Sequence, residues 1–458
     1  MSAPYLDWPF DPDKRSGEQQ ERWWQACHVE SAADRQLRGV YHWFLLAGPP
    51  GSGKSVAREA WERRAAAGAL VLSYPPKHWP GSSDAWFPDN PSHLAQMLAV
   101  AGLAVSRRFQ ENKYERLAAL DPFQRRSLRA LLEFMGGEDG EAHFRRFLAR
   151  APRPLAEELM SVAVGVNPFQ TRGWRGVQDQ IEQLAELVAG LGFGRVVYVI
   201  DPPDPLGPVD EAGLADLFGW LDLADNPGFA VAAVVPQALL DAGPTLARAR
   251  GRAGLVYTGW TAEECHAAAE RHMRLAALDL APGALATLLP PGGLADLDEM
   301  ITAEWGALNP RAWVLLAETL LYLTRRAAER LPTPLDAGHL PRLKAAFFNR
   351  HVRLVLDPNR LEVWRGGPRP IALQNQPFQF LRKLQELGRL VHSSEDALID
   401  IAGKQDNVYS LASRAREAIE PVKGEEAYLF TVRGYDGGYR LENCDALPLT
   451  RPTDSRAL

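Results

Sequence analysis

Residues 48 to 55, Gly48-Pro-Pro-Gly-Ser-Gly-Lys-Ser55, hold the strongest chemical signal in the chain. The spacing G-x-x-x-x-G-K-[ST] suits a polyphosphate: glycines let consecutive backbone N–H groups turn inward, and a following helix presents its positive end. Gly48, Pro49, Pro50, Gly51, Ser52, Gly53, Lys54, Ser55 and Val56 are therefore the candidate nucleotide-binding residues. Lys54 would reach the β- and γ-phosphates and Ser55 would give its hydroxyl to magnesium, so the implied ligands are ATP and Mg2+. The metal needs a second hard oxygen from a carboxylate at the end of a neighbouring buried strand, and Asp201 meets that description. Asp204 is the nearest further acid. It either orients an attacking water as a catalytic residue or caps a turn among its prolines.

These groups need a frame to hold them. Tyr41-His-Trp-Phe-Leu-Leu-Ala47 is short, apolar and stopped by glycine, as a buried parallel strand reads. A helix over Val56 to Ala67 and a strand over Ala69 to Tyr74 follow. Two more buried strands are expected at Gly194 to Ile200 and Phe229 to Val235, with Leu255 to Tyr257 strand-like as well. Between about 92 and 191 the pattern is helical. Strands alternating with helices predict an α/β fold with a parallel sheet, interrupted by a helical insertion.

Over about 41–330 the chain resembles the STAND and AAA+-related P-loop ATPases, which join such a sheet to a helical lid. The resemblance implies a polar sensor at the tip of the strand ending Val234-Val-Pro-Gln237, where Gln237 is the candidate. It also implies a lid arginine that approaches the γ-phosphate. Leu308-Asn-Pro-Arg311 offers Arg311 for that catalytic role, although a plain helix start with proline in its first turn reads the same way. Many such ATPases carry a glutamate after the strand-end aspartate, whereas this chain has Pro202, which implies slow hydrolysis. Arg248, Arg250 and Arg252 lie near where relatives place an arginine that completes a neighbour's site, so a nucleotide-dependent homo-oligomer is a further expectation. A solvated basic turn is the simpler reading.

The C-terminal segment changes character. Val352 to Val363 reads as a strand pair, and Phe378, Leu381 and Leu384 share a helical face. Asn407 to Pro421 reads as a helix with an Arg-x-Arg at Arg414 and Arg416. Phe430 to Gly434 and Gly438 to Leu441 make a hairpin. This resembles the winged helix-turn-helix of the OmpR/PhoB regulators, which implies DNA contact through Asn407, Ser410, Ser413, Arg414 and Arg433, with Arg416 available instead to tie helix to hairpin. Residues 350–445 hold 14 Lys plus Arg and 14 Asp plus Glu, so the basic footprint usual for a DNA reader is missing. A protein partner on the winged helix remains the other option.

The expected order is a helical segment at 1–40, an ATPase core at 41–260, a helical lid at 261–345, an α+β winged-helix domain at 350–445 and a tail at 446–458. The net charge of −6 argues against coating nucleic acid by bulk electrostatics. No apolar run reaches the roughly 18–20 residues of a membrane span, no signal pattern opens the chain, and a cytoplasmic location is expected. Cys27, Cys265 and Cys444 are too few and too scattered for a disulfide framework or zinc site. The function these readings imply is an ATP-dependent molecular switch, of a bacterial regulator or conflict-system type, that couples nucleotide state to the winged helix. The alternative is an ATPase adaptor whose winged helix binds protein.

Overall fold

The structure, a computed structural model, describes residues 18–40, 43–74, 93–112, 115–134, 140–162, 169, 173–202, 214, 217–218, 226–237, 240, 253–277, 280–324, 333–367, 369–433 and 437–447. They form two compact units, one of residues 30–259 and one combining 1–29 with 260–458. The fold is α/β, with a parallel sheet in the first unit and an α+β winged helix in the second.

The 30–259 unit opens with α1's successor in the chain: α1 is Glu18–Cys27, and α2, Ala32–Gln36, starts this unit. Then come β1 (Phe44–Gly48), α3 (Lys54–Ala65) and β2 (Ala69–Ser73). The helical insertion follows as α4 (His93–Asn112), α5 (Glu115–Ala118), α6 (Pro122–Phe134), α7 (Gly140–Arg150), α8 (Arg153–Ser161) and α9 (Gly173–Gly190). β3 (Arg195–Ile200), β4 (Phe229–Pro236) and β5 (Gly254–Tyr257) complete a five-stranded sheet of order β2-β3-β4-β1-β5, parallel throughout.

The strands read as continuous apolar runs because both faces of the sheet are covered. Successive side chains alternate between two cores. Phe44, Leu46, Val197, Val199, Ala230, Ala232 and Val234 face α2 and α3, where Trp61 lies edge-on to Phe44 with ring centroids 5.0 Å apart. Leu45, Ala47, Val196, Tyr198, Val231 and Ala233 face the helices of the insertion. The alanines of β4 leave room for Trp61, whose indole N–H donates to Val40 O at 2.7 Å. A loop at the carboxyl end of β1 thus opens where the chain departs to opposite sides of the sheet, towards β2 and β5, the usual place for a ligand crevice.

In the other unit, α1 packs on α10 (Ala262–Ala276). It is followed by α11 (Ala284–Leu288), α12 (Gly293–Trp305), α13 (Pro310–Thr324) and α14 (Leu340–His351). The winged-helix part comprises β6 (Leu354–Asp357), β7 (Glu362–Arg365), β8 (Ile371–Ala372), α15 (Asn375–Leu387), β9 (Val391–His392), α16 (Asp396–Ala402), α17 (Gln405–Ile419), β10 (Leu429–Val432), β11 (Gly438–Leu441) and β12 (Cys444–Ala446). β6, β7, β8 and β12 make one sheet, while β9 joins the β10–β11 hairpin in another. Phe378, Leu381 and Leu384 are all fully buried, as their spacing requires.

No break in packing marks the expected boundary near 345–350. One apolar cluster runs from Met273 and Trp313 through Phe347 and Phe348 to Phe378, Leu411 and Tyr439. The fork of Arg365 reaches both oxygens of Glu304 and also Ile419 O, which joins β7, α12 and α17. Gly367 permits this approach, since a Cβ there would lie 2.0 Å from Glu304 O. Among the described residues no helix is long and apolar enough to cross a membrane.

Candidate functional site

The glycine loop leaves β1 and enters α3 through two left-handed residues, Gly51 at φ 75° and Gly53 at φ 81°. An L side chain would be strained at either position, so the conformation explains the glycines directly. Gly53 is the N-cap of α3, and no side chain caps that end. The first N–H groups of the helix and its positive dipole end therefore face the concave side of the loop. Lys54 is buried and its ammonium donates to Gly48 O and Pro49 O, both at 2.9 Å, so the lysine lies along the loop and within reach of its interior.

The loop is braced by Thr258, just beyond β5. Its N–H donates to Ala47 O at 2.8 Å, and its hydroxyl meets that of Ser52 at 2.7 Å. Gly48 must be glycine for this contact: a Cβ would sit 1.9 Å from Thr258 Oγ1. Sequence reading did not single out Thr258. The signal was its place at the carboxyl end of a strand beside β1, where Ala47 pairs with Tyr257.

Asp201 follows β3 and brings its Oδ1 to 3.2 Å from the hydroxyl of Ser55, across 146 residues of sequence. Two oxygens bound at 2.1 Å on adjacent corners of a magnesium octahedron stand about 3 Å apart, so the spacing and the hard donors fit Mg2+. The other oxygen, Oδ2, is ion-paired with Arg58, whose Nε lies 2.8 Å away without donating a hydrogen bond. Arg58 also pairs with Glu62. Burial works against the guanidinium charge, but Glu62 and Asp201 outweigh it and raise the pKa of Arg58. Burial pushes the Glu62 carboxyl up, against the pull of Arg58. Arg58 was the second residue missed. It stands three positions after Ser55 on the same face of α3, but only the fold reveals which carboxylate it serves.

Of the remaining ATPase candidates, Gln237 and Arg311 are among the described residues. Asp204 lies outside the described residues, as do Arg248, Arg250 and Arg252. Gln237 is exposed directly after Pro236, which pairs with Gly48 across the β4–β1 ladder. Arg311 is exposed in the first turn of α13, in the other compact unit. There Asn309 caps the helix by accepting from Ala312 N at 3.1 Å.

In the winged helix, α16 and α17 are joined by a tight turn through Gly403, at φ 77°. Asn407, Ser410, Ser413 and Arg414 are exposed on α17, and Arg433 is exposed after β10. Asn407 also donates to Ala402 O at 3.1 Å, which ties it to the turn. Tyr409 is 73% exposed on the same helix, and Val432 41% exposed on the hairpin. Arg416 does the structural work allowed for it: it donates to Leu429 O and Thr431 Oγ1 and pairs with Glu426. Glu420 accepts from the N–H groups of Ala427, Tyr428 and Leu429, fixing the start of the hairpin.

No family model matches the chain, and no curated protein matches it either. Solved structures that align with it include the Orc1 protein of Aeropyrum pernix in complex with DNA, at 14% identity and a TM-score of 0.32, over 95% of this chain and 93% of that one. Cdc6p from Pyrobaculum aerophilum aligns at 12% identity and a TM-score of 0.32, over 95% and 94% of the two chains.

Proposed function

We propose that the protein is an ATP- and Mg2+-binding switch of the AAA+ or STAND type, in which nucleotide state governs a winged helix that contacts DNA. The observation that carries this is the loop itself: two left-handed glycines, an uncapped helix end and Lys54, with Ser55 and Asp201 oxygens 3.2 Å apart. Backbone donors and Lys54 would cradle the phosphates, and Ser55 with Asp201 would hold the metal, which neutralises phosphate charge. Asp204, and Arg311 from the lid, are proposed as the catalytic pair. With Pro202 after Asp201, slow turnover suits a switch better than a motor.

The test is binding of a fluorescent ATP analogue to the full chain. Lys54→Ala is expected to weaken it at least a hundredfold, and equal affinity in the variant would refute the reading. A second reading, a winged helix that docks protein, is favoured by one feature: Tyr409 and Val432 are exposed on an element set of balanced charge.

A further inference from the structure

The two oxygens of Asp201 have different partners. Oδ1 faces the Ser55 hydroxyl at 3.2 Å, the side a metal would use, whereas Oδ2 is ion-paired with Arg58, whose Nε lies 2.8 Å away. Both side chains are shielded, Arg58 at 19% and Asp201 at 22% exposure, so their charges act on each other through little water. Glu62 holds the far side of the guanidinium and keeps it on the α3 face beside Asp201.

We propose that Arg58 is a built-in counter-charge to Asp201 that weakens the dependence of nucleotide binding on Mg2+. The inference rests on reading the loop as an Mg2+-nucleotide site. With Arg58 in place the charge of Asp201 is partly offset before metal arrives, so the phosphates of metal-free ATP meet less repulsion. The same positive charge, one carboxylate away from the metal position, opposes Mg2+ when it enters. Arg58 therefore lifts metal-free affinity and lowers the gain from metal.

The experiment measures the dissociation constant of a fluorescent ATP analogue in EDTA and in saturating Mg2+, and takes the ratio of the two. Arg58→Gln keeps a polar side chain beside Asp201 and removes the charge, and it is expected to raise the ratio about tenfold. Arg58→Lys keeps the charge and should stay within about threefold of the wild-type ratio. The double variant R58Q/E62Q leaves no unmatched carboxylate on α3, so it gives the same answer if the single variant does not fold. An unchanged or smaller ratio in the glutamine variants overturns the proposal, as does an equal rise in Arg58→Lys. If the wild type binds no nucleotide under either condition, the reading of the loop fails first, a result distinct from binding with an unmoved ratio.

Discussion

His351 shows at the scale of one side chain how burial decides chemistry. It ends α14 with Nε2 3.1 Å from Thr319 Oγ1 and 3.4 Å from Glu318 Oε2. Glu318 alone would favour the imidazolium, but burial, followed by the charges of Arg350 and Arg311, lowers its pKa to about 4. The folded value lies below the unfolded one, so the unfolded chain takes up a proton first as pH falls. The contribution to stability is intact above pH 6.5 and is lost progressively toward pH 4, amounting to about 2 kcal/mol between pH 7 and pH 5. Urea melts at those two pH values should show that loss, and His351→Gln should remove that part of it. A wild type and variant with the same pH dependence would contradict the assignment. Burial likewise pushes the thiols of Cys265 and Cys444 up to about 12, away from the thiolate form.

Among the elements, α1 shows how a short segment finds its place. Trp23 is buried against α10, and its indole, which can only donate, gives its proton to His272 Nε2 at 2.9 Å. His272 must therefore carry its own proton on Nδ1, which it donates to Ala268 O at 2.7 Å. Trp23→Phe preserves most of the apolar contact but leaves a buried acceptor without this donor, at a cost of about 1–3 kcal/mol. A thermal melt should register the loss, and limited proteolysis should cut near α1 sooner. An unchanged melting temperature would show that α1 contributes little there. In the sequence Trp23 is one aromatic on the N-terminal helical segment. Its partner lies 249 residues away, beyond the range of any periodicity.

For the whole molecule, the governing quantity is charge. The net charge is −6, and the winged-helix segment balances its acids and bases, so bulk attraction cannot bring DNA to it. DNA binding would have to come from a few placed cations, of which Arg414 and Arg433 are exposed on α17 and after β10. Gel shifts with genomic fragments should then detect binding that weakens with salt. Arg414→Ala and Arg433→Ala should each lower the slope of log affinity against log salt by about one. Binding insensitive to both substitutions, or absent at low salt, would favour the protein-docking reading, with Tyr409→Ala as the variant that disrupts it.

The sequence by itself determined the glycine loop, the strand–loop–helix unit around it, the helical insertion and the winged-helix pattern. These are written in local spacing: left-handed glycines, short apolar runs and helical faces are properties of a few neighbouring residues. Only the tertiary structure decided that Thr258 braces the loop, that Arg58 shares Asp201 with Ser55, and that one core runs from α10 to β11. Those facts depend on which strand ends meet and which helices share a face. Such meetings are set by the packing of residues far apart in the chain, where no local pattern records them.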